Sequence, residues 1–443
     1  MSKKVNSVTE KVLARITPPK EDLKFIKDSL KEFISEFKKE IKKQKVNANA
    51  FVGGSFAKDT MIKKDVYDID VFVRFSKEYD DKKLSKLLEK ILNSMDTKGK
   101  SVEKIHGSRD YFRIKMKEDF FIELVPVAKI TNPKQARNIT DLSYSHVRYV
   151  KNKLKSKEKL KDDIKIAKAF CYGSKTYGAE SYINGFSGYA LELLIYSYKG
   201  FVKFIKAMSN ADIGKNKEKD KKDKIIIDIE KHYKNKKRIL MDINASKLGS
   251  PIILIDPTYK QRNALAALSY NTFRKFQKAC KKFLKNPSED AFIPEKINVG
   301  VVKENAKKKG NEFIEIEAET NKQVGDIAGS KLLKFFRHLK REISRYFDIK
   351  ESRFEYSKAK TGRYIFTAKS KEEVIIEGPF KKDKKSVQGF KKAHKKADIF
   401  EKKDRIYAKE KIDFALKGFI QDWKKEHKQR MKDMSITDLR IKK

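Results

Sequence analysis

The residues best suited to chemistry lie between positions 51 and 75. A Gly-Gly-Ser turn occupies positions 53–55, and Asp68 and Asp70 follow at the head of an apolar run. The alternation of apolar and polar residues over 67–75 predicts a strand, on which residues two apart project from the same face. Two carboxylates on one face repel each other unless a cation lies between them. Because both offer only oxygen ligands, the pair predicts a hard divalent ion, with Mg²⁺ as the first choice.

The turn at Gly53, Gly54 and Ser55 supplies the second half of the pattern. Glycine leaves backbone N–H groups accessible, and the Ser55 hydroxyl adds another hydrogen-bonding group, so the turn can cradle phosphate oxygens. Ser55 precedes Asp68 by 13 residues, which places the turn at the end of one strand and the carboxylates at the start of another. Each half alone is more often a plain turn or a solvated strand. Together they predict chemistry on a nucleotide.

The joint pattern resembles the polymerase-β nucleotidyltransferase superfamily, in which G-S-x-A-[KR]-x-T is followed by D-x-D on a strand. The resemblance implies a third carboxylate on a neighbouring strand, just before a hydrophobic-Val-Pro segment. Glu123 stands there, ahead of a Leu-Val-Pro sequence, although the family often has aspartate and the plain alternative is a surface glutamate. By resemblance, Asp68 and Asp70 bridge two Mg²⁺ ions, and Glu123 completes the ion that activates the attacking hydroxyl.

Four later stretches resemble the archaeal-type (class I) CCA-adding enzymes, the tRNA nucleotidyltransferases that build the 3′-terminal CCA. These stretches are 141–149, 168–180, 185–194 and 255–269. The resemblance runs from about residue 10 to residue 380 and is more specific before residue 270. The nucleotide-binding residues that it implies are Gly54, Ser55, Lys58, His146, Lys168, Tyr177 and Arg262.

The resemblance also implies a role for each of these side chains. His146, Lys168 and Tyr177 line the phosphates and the sugar of the nucleotide, and Arg262 reads the edge of the base. Lys58 stands where the archaeal pattern often has arginine, so a bidentate grip on phosphate is in question at that position. The plain alternatives are helix residues for His146 and Lys168 and a turn residue for Tyr177.

The function implied is template-independent addition of CCA to tRNA from CTP and ATP by two-metal nucleotidyl transfer. Two alternatives stay open: a poly(A) polymerase or oligoadenylate synthetase-like enzyme, and a non-catalytic RNA-binding relative. The segment around Arg262 and the Thr-Tyr-Gly-Ala-Glu stretch at 176–180 favour CCA addition. The three intact carboxylates argue against a non-catalytic relative.

Composition agrees with a polyanionic partner such as tRNA. The 443 residues include 106 Lys and Arg against 61 Asp and Glu, a net charge of +45, and repulsion on this scale is best tolerated beside a polyanion. DNA, an anionic membrane or an acidic protein would satisfy the charge equally well. No apolar run approaches the length of a membrane span and no signal-peptide core is seen, so we expect no membrane association.

Cysteine usage bears on the compartment. The two cysteines, Cys171 and Cys280, lie in apolar contexts and form no C-x-x-C motif. We therefore expect a reducing, cytoplasmic location. The oligomeric state stays open, with a homodimer as one expectation.

The elements that must position these residues indicate an α+β fold. The prediction is a polymerase-β-like mixed-sheet head at 1–145, a helical central or neck domain at 146–285, an α/β body at 286–380, and a basic tRNA-contacting tail at 381–443. In the head we expect a helix over 21–44 and strands near 51 and over 67–75, 110–117 and 120–127. In the neck we expect helices over 146–210 and 260–285, separated by an exposed charged loop at 214–224.

The body is predicted to hold a strand at 312–318, a helix at 329–347 and strands at 351–357 and 362–368. In the tail, aromatic residues are interleaved with lysine. We expect them to form a helical core rather than platforms on which bases stack; they are Phe380, Phe390, Phe400, Tyr407, Phe414, Phe419 and Trp423.

Overall fold

The computed structural model describes residues 2–95, 101–213, 224–395 and 397–442. The chain divides into two compact units, Met1–Glu295 and Lys296–Lys443, here called the N-terminal and C-terminal units. The finer division into four domains stays a prediction. The charged loop predicted over 214–224 lies outside the described residues except for Lys224.

The N-terminal unit begins with a five-stranded sheet and the helices around it. The strands are β1 (Ala48–Val52), β2 (Tyr67–Phe75), β3 (Val102–Ile105), β4 (Tyr111–Lys117) and β5 (Phe120–Ala128), and the helices are α1 (Ser2–Ile16), α2 (Lys20–Lys43) and α3 (Leu84–Asn93). The strand order is β1-β2-β5-β4-β3, with β2 and β5 parallel and the other neighbours antiparallel. The predicted mixed sheet is therefore confirmed.

Periodicity explains how α2 and β2 meet. The buried residues of α2 include Ile26, Leu30 and Phe37, at the spacing of one helical face, and they share a core with Val71 and Val73 of β2. Alternation along β2 leaves its polar positions on the opposite face of the sheet. The first carboxylates are thus held on a strand whose other face is fully buried.

The rest of this unit is mainly helical. Its helices are α4 (Ser143–Leu154), α5 (Glu158–Gly173), α6 (Gly188–Tyr198), α7 (Phe201–Asn210), α8 (Lys236–Asp242) and α9 (Tyr270–Lys285), and its strands are β6 (Ile225–Ile227), β7 (Ile252–Asp256) and β8 (Tyr259–Asn263). Residues of α4, α5, α6, α7 and α9 form one apolar core, which also takes in α1.

The helix predicted to begin at 260 is wrong over its first residues. Residues Tyr259–Asn263 form β8, which pairs with β7, and α9 begins only at Tyr270. The reason is local, because Asp256 accepts hydrogen bonds from the backbone N–H and the hydroxyl of Thr258, each at 2.9 Å. An aspartate turn of this kind closes a hairpin and competes with helix formation.

The described residues of the C-terminal unit, 296–395 and 397–442, form two sheets and five helices. The strands are β9 (Glu312–Glu319), β10 (Phe347–Tyr356), β11 (Thr361–Ser370), β12 (Glu373–Phe380), β13 (Asp398–Lys402), β14 (Arg405–Lys411) and β15 (Asp438–Ile441), and the helices are α10 (Val299–Lys308), α11 (Asp326–Tyr346), α12 (Lys384–Ala393), α13 (Leu416–Glu426) and α14 (Lys428–Asp433). The predicted strand, helix, strand, strand order of the body is confirmed in β9, α11, β10 and β11.

The last part of the chain completes the core of that body. The larger sheet has the order β10-β11-β9-β15, with Leu439 of β15 opposite Ala318 of β9. Trp423 and Ile420 of α13 are buried in the same core as Phe335 of α11. Much of the segment predicted as a basic tail therefore stabilises the body from within.

The aromatic residues of this segment follow the predicted helical core only in part. Trp423 lies in α13 and is 3% exposed, as a core residue should be. Phe400 and Tyr407 instead stack on each other from β13 and β14, with ring centroids 5.5 Å apart, so the helical prediction is wrong for them. Phe380 in β12 is 52% exposed.

Throughout the described residues, no helix is both long and apolar enough to cross a membrane.

Candidate active site

Two parallel strands bring the three carboxylates to one face of the sheet. Asp70 of β2 is directly opposite Glu123 of β5 in the register, and Asp68 is two positions earlier on β2. The neighbours Ile69 and Ile122 point the other way and are buried. The side chains of Asp68 and Glu123 keep 35% and 23% of their surface accessible. The structure therefore groups these residues as the sequence predicted, on a face that a ligand can reach.

The Gly53-Gly54-Ser55 turn lies directly against this face. The N–H of Gly53 donates to the carbonyl of Asp70 at 2.8 Å. Gly54 has φ of +60°, and a Cβ atom placed on it would overlap the Oδ2 atom of Asp70. Only glycine allows this close approach in this backbone conformation. The predicted phosphate cradle thus lies beside the carboxylates.

Nearby cationic side chains offset the negative charge of the carboxylates. Burial raises the pKa of the Asp70 carboxyl, the positive charge of Lys58 opposes that rise, and the charge of Asp68 adds to it. Arg113 of β4 donates to Asp68 Oδ1 at 2.6 Å, and its Nε lies 3.8 Å from Glu123 Oε1. Arg113 thereby offsets part of the repulsion between the carboxylates of the two strands.

The donor chemistry of this face fits a hard divalent cation, since all the available ligands are carboxylate oxygens. Gly54 packs directly against the Asp70 carboxylate, which keeps the backbone of the glycine turn close to this donor set. Among the described residues, however, no group of three metal-binding side chains (His, Cys, Asp or Glu) is close enough together, as the side chains stand, to hold a metal ion. The residues that would hold such an ion are Asp68, Asp70 and Glu123.

Lys58 and Lys168, predicted at the phosphates, converge on one buried acid. Lys58 Nζ lies 2.6 Å from Glu192 Oε2, and Lys168 Nζ lies 3.2 Å from Glu192 Oε1. Thr60 donates to Glu192 at 2.9 Å and accepts from Lys168 at 2.9 Å. Tyr177 lies close to this group. A Cβ atom added at Gly188 would be 2.9 Å from the Tyr177 hydroxyl and 3.9 Å from Lys168 Cε, so both side chains approach the same point.

The pKa shifts of this cluster follow from burial and mutual charge. Burial lowers the pKa of Lys168 to about 8, with Glu192 opposing the change and Lys58 adding to it. Burial alone would raise the pKa of Glu192, but Lys58 and Lys168 reverse this and hold the pKa below its ordinary value. Glu192 is therefore ionised at neutral pH.

His146 and Arg262 meet at a second buried acid. Asp256 Oδ2 lies 2.9 Å from His146 Nε2 and accepts from Arg262 Nη1 at 2.7 Å, while Asp256 Oδ1 accepts from the Tyr189 hydroxyl at 3.0 Å. The His146 ring also stacks on Tyr189, with centroids 4.1 Å apart. Burial lowers the pKa of His146, with Asp256 opposing the change. A neutral imidazole and a fixed guanidinium therefore lie side by side.

Sequence reasoning did not assign a role to Arg113, Glu192 or Asp256. A signal for two of them was present. Glu192 is the one acid in the apolar run Ala190–Ile195 of α6, and Asp256 ends a strand in which every residue is buried. A carboxylate buried among apolar residues needs a cationic or hydrogen-bonding partner. The signal for Arg113 appears only once the pairing of β4 with β5 is known.

Two family descriptions match the N-terminal unit. Residues 34–141 match the nucleotidyltransferase domain, and residues 162–293 match the second domain of tRNA nucleotidyltransferase. The first match contains the carboxylates and the Gly-Gly-Ser turn, and the second contains Lys168, Glu192 and Arg262. The predicted α+β class with a nucleotidyltransferase head is therefore confirmed, and proteins of this superfamily generally use a divalent metal.

Two curated relatives share the name CCA-adding enzyme. The CCA-adding enzyme of Nanoarchaeum equitans is 42% identical over 51% of this chain and 52% of its own length, so the match spans about half of that relative. The CCA-adding enzyme of Methanosarcina mazei is 29% identical over 83% of this chain and 74% of its own length. Among solved structures, a cytoplasmic RNA terminal U-transferase aligns with 67% of this chain and 100% of its own, at 12% identity and a TM-score of 0.48. A structural likeness of that size carries no conclusion about function. Both domain matches and both named relatives agree: the chain is similar to archaeal CCA-adding enzymes, and its N-terminal unit matches two domains of tRNA nucleotidyltransferases.

Proposed function

We propose that this chain adds cytidine, cytidine and adenosine to the 3′ end of tRNA, using CTP and ATP and no nucleic-acid template. The observation that carries the proposal is the placing of Asp68, Asp70 and Glu123 on one accessible sheet face beside the glycine turn. The relatives' name supports the choice of substrate. Because the matches cover only part of each relative, the activity of this chain is inferred rather than transferred whole.

In the proposed reaction the 3′-hydroxyl of tRNA attacks the α-phosphorus of the nucleotide and pyrophosphate leaves. Two Mg²⁺ ions, when bound, would supply charge neutralisation and lower the pKa of the hydroxyl. Asp68, Asp70 and Glu123 would hold these ions. The backbone N–H groups of Gly53 and Gly54 and the hydroxyl of Ser55 would bind and orient the triphosphate.

The other side chains serve binding and selection in this proposal. Lys58, Lys168 and Tyr177 bind the phosphates and the sugar. His146 lies beside Arg262, whose guanidinium meets acceptors on the base edge. The contact with Asp256 fixes the direction of that guanidinium, so a base must fit a rigid fork rather than a mobile one. Since the sequence holds one such constellation, both nucleotides would enter the same pocket.

The test is nucleotide choice at two stages of the tRNA end. With CTP or ATP alone, we expect cytidine to be added to tRNA ending at the discriminator base and adenosine to tRNA ending in CC, with nothing added after CCA. Arg262→Ala should reduce the ratio of the incorporation rates of the correct and the incorrect nucleotide by about tenfold or more, because the base loses a polar partner. The rate of the correct addition should fall by a smaller factor than this ratio. Incorporation of adenosine alone, or indefinite extension, would instead support a poly(A) polymerase.

The proposal extends to the binding partner of this chain, its location and its oligomeric state. The large excess of basic residues supports binding of the tRNA backbone, including contacts from the segment 381–443. The cytoplasm is the proposed location, because tRNA, CTP and ATP occur there together. The homodimer expected as one option from the sequence stays a prediction.

A further inference from the structure

The acid Glu192 holds together two lysines that come from different parts of the N-terminal unit. Lys58 lies in the short 3₁₀ turn Phe56–Lys58 after the glycine turn, whereas Lys168 lies on α5. Glu192, on α6, gives one carboxylate oxygen to each lysine, at 2.6 Å and 3.2 Å. The two ammonium groups thus share a single counter-ion, which leaves the group with a net positive charge.

The burial of the group makes this arrangement specific. The exposed fractions of Lys58, Lys168 and Glu192 are 8%, 3% and 2%, and Thr60, which bonds both Glu192 and Lys168, is fully buried. Buried ammonium groups repel each other strongly in a medium that screens little. Two of them can remain charged side by side only if an anion lies between them.

We propose that Glu192 is a positioning residue that holds Lys58 and Lys168 as a preformed cationic pair for the triphosphate of the incoming nucleotide. This inference rests on the proposed function in one respect, namely that both lysines bind phosphate. Glu192 itself does not touch the nucleotide. It acts by fixing the two ammonium groups and by keeping them protonated before the nucleotide arrives, so that little reorganisation is needed on binding.

The charged and titratable groups facing Lys168 determine how its protonation depends on pH. Glu192 from α6 favours the charged form, whereas Lys58 and Lys64 from the segment after the glycine turn oppose it. The hydroxyl of Tyr177 lies nearby and stays protonated, because burial raises its pKa well above the ordinary value. The pKa of Lys168 is about 8, and Glu192 is the group that keeps this lysine charged at neutral pH.

The experiment measures ATP binding to the full chain without tRNA, by calorimetry between pH 7 and 9. For the wild type we expect affinity to fall as pH rises through about 8, as Lys168 loses its proton. Glu192→Gln keeps the size of the side chain but removes its charge. We expect it to weaken ATP binding about tenfold or more at pH 7.5, the loss typical of a charged hydrogen bond, and to move the pH midpoint downward.

A kinetic split separates positioning from catalysis. With tRNA ending in CC, Glu192→Gln should raise the KM for ATP while the kcat at saturating ATP changes by less than about threefold, since the interaction lost is one of binding. The conservative variant Glu192→Asp keeps the charge and should recover part of the affinity and of the pH midpoint. If Glu192→Gln does not fold, Thr60→Val replaces it in the test, because it removes the hydrogen bonds of Thr60 with both Glu192 and Lys168. We expect weaker ATP binding in that variant, and wild-type affinity with a wild-type pH midpoint would overturn the proposal.

Asp141→Asn is the matched control. Asp141 is 2% exposed and accepts from Arg109 through both oxygens, so the variant also removes a buried charge from an ion pair. It should lower the melting temperature without moving the ATP affinity or its pH midpoint. Wild-type affinity and midpoint in a folded Glu192→Gln would overturn the proposal. Because ATP binding is measured without tRNA, a protein that showed the Glu192 effects but added no CCA would refute the proposed function alone.

Discussion

Asp70→Asn is expected to lower nucleotide addition by about 10³-fold or more, because metal and electrostatic terms carry most of phosphoryl-transfer catalysis. Asparagine keeps the shape of the side chain but removes the charge that would bind the cation. Asp68→Asn should behave in the same way, since both residues lie on the same face of β2. Steady-state incorporation of labelled CTP into tRNA that lacks CCA measures the loss.

The stability of the folded protein should not fall in Asp70→Asn. Burial raises the pKa of Asp70, which means that its charge is costly to bury in the absence of metal. We therefore expect a melting temperature equal to or above that of the wild type, and unchanged binding of tRNA. Asp65→Asn, an exposed aspartate five positions away, is the control and should keep full activity. Full activity in Asp70→Asn would remove the residue from the metal site.

Gly54→Ala is expected to lower activity by about 10²-fold, the cost that a misplacement of about 1 Å can bring to a reacting group. Two effects combine here. The backbone of Gly54 has φ of +60°, which disfavours any L side chain by about 1–2 kcal/mol. The new Cβ would also overlap Asp70 Oδ2, so the carboxylate or the turn must shift.

The control for this variant is Gly249→Ala in the same unit. A Cβ added at Gly249 meets no atom within 4 Å, and its backbone is not in the left-handed region. This variant should have wild-type activity and stability. Near-normal addition by Gly54→Ala, with an unchanged affinity for CTP, would show that the turn does not need the close approach to Asp70.

Periodicity in the sequence was enough to predict the elements that hold the site. The apolar spacing of α2 and the alternation of β2 are local patterns, and the structure confirms both within about one residue at each end. The placing of Glu123 on a strand next to that of Asp68 and Asp70 was predicted only because the resemblance required it, and its register opposite Asp70 was not predicted. Alternation alone states which face a residue occupies, not which strand lies beside it.

The buried acids show where sequence reasoning ended. Lys58 and Lys168 are 110 positions apart in the chain, and no local pattern indicates that both would meet Glu192. The β8 strand was missed because its residues fit a helical spacing equally well, and the aspartate turn at Asp256 decided the outcome. Likewise, the lysine-rich composition after residue 381 concealed core positions such as Trp423.

The central claim is that one site completes CCA and then stops, and sequencing of the product's 3′ end tests it most directly. The full chain is incubated with Mg²⁺, CTP, ATP and a tRNA transcript that ends at the discriminator base, and the added nucleotides are read from individual molecules. We predict that nearly all extended molecules end in CCA, and that no nucleotides are added when Asp70→Asn replaces the wild type. Products that end in runs of adenosine, or that carry cytidine without adenosine, would contradict it.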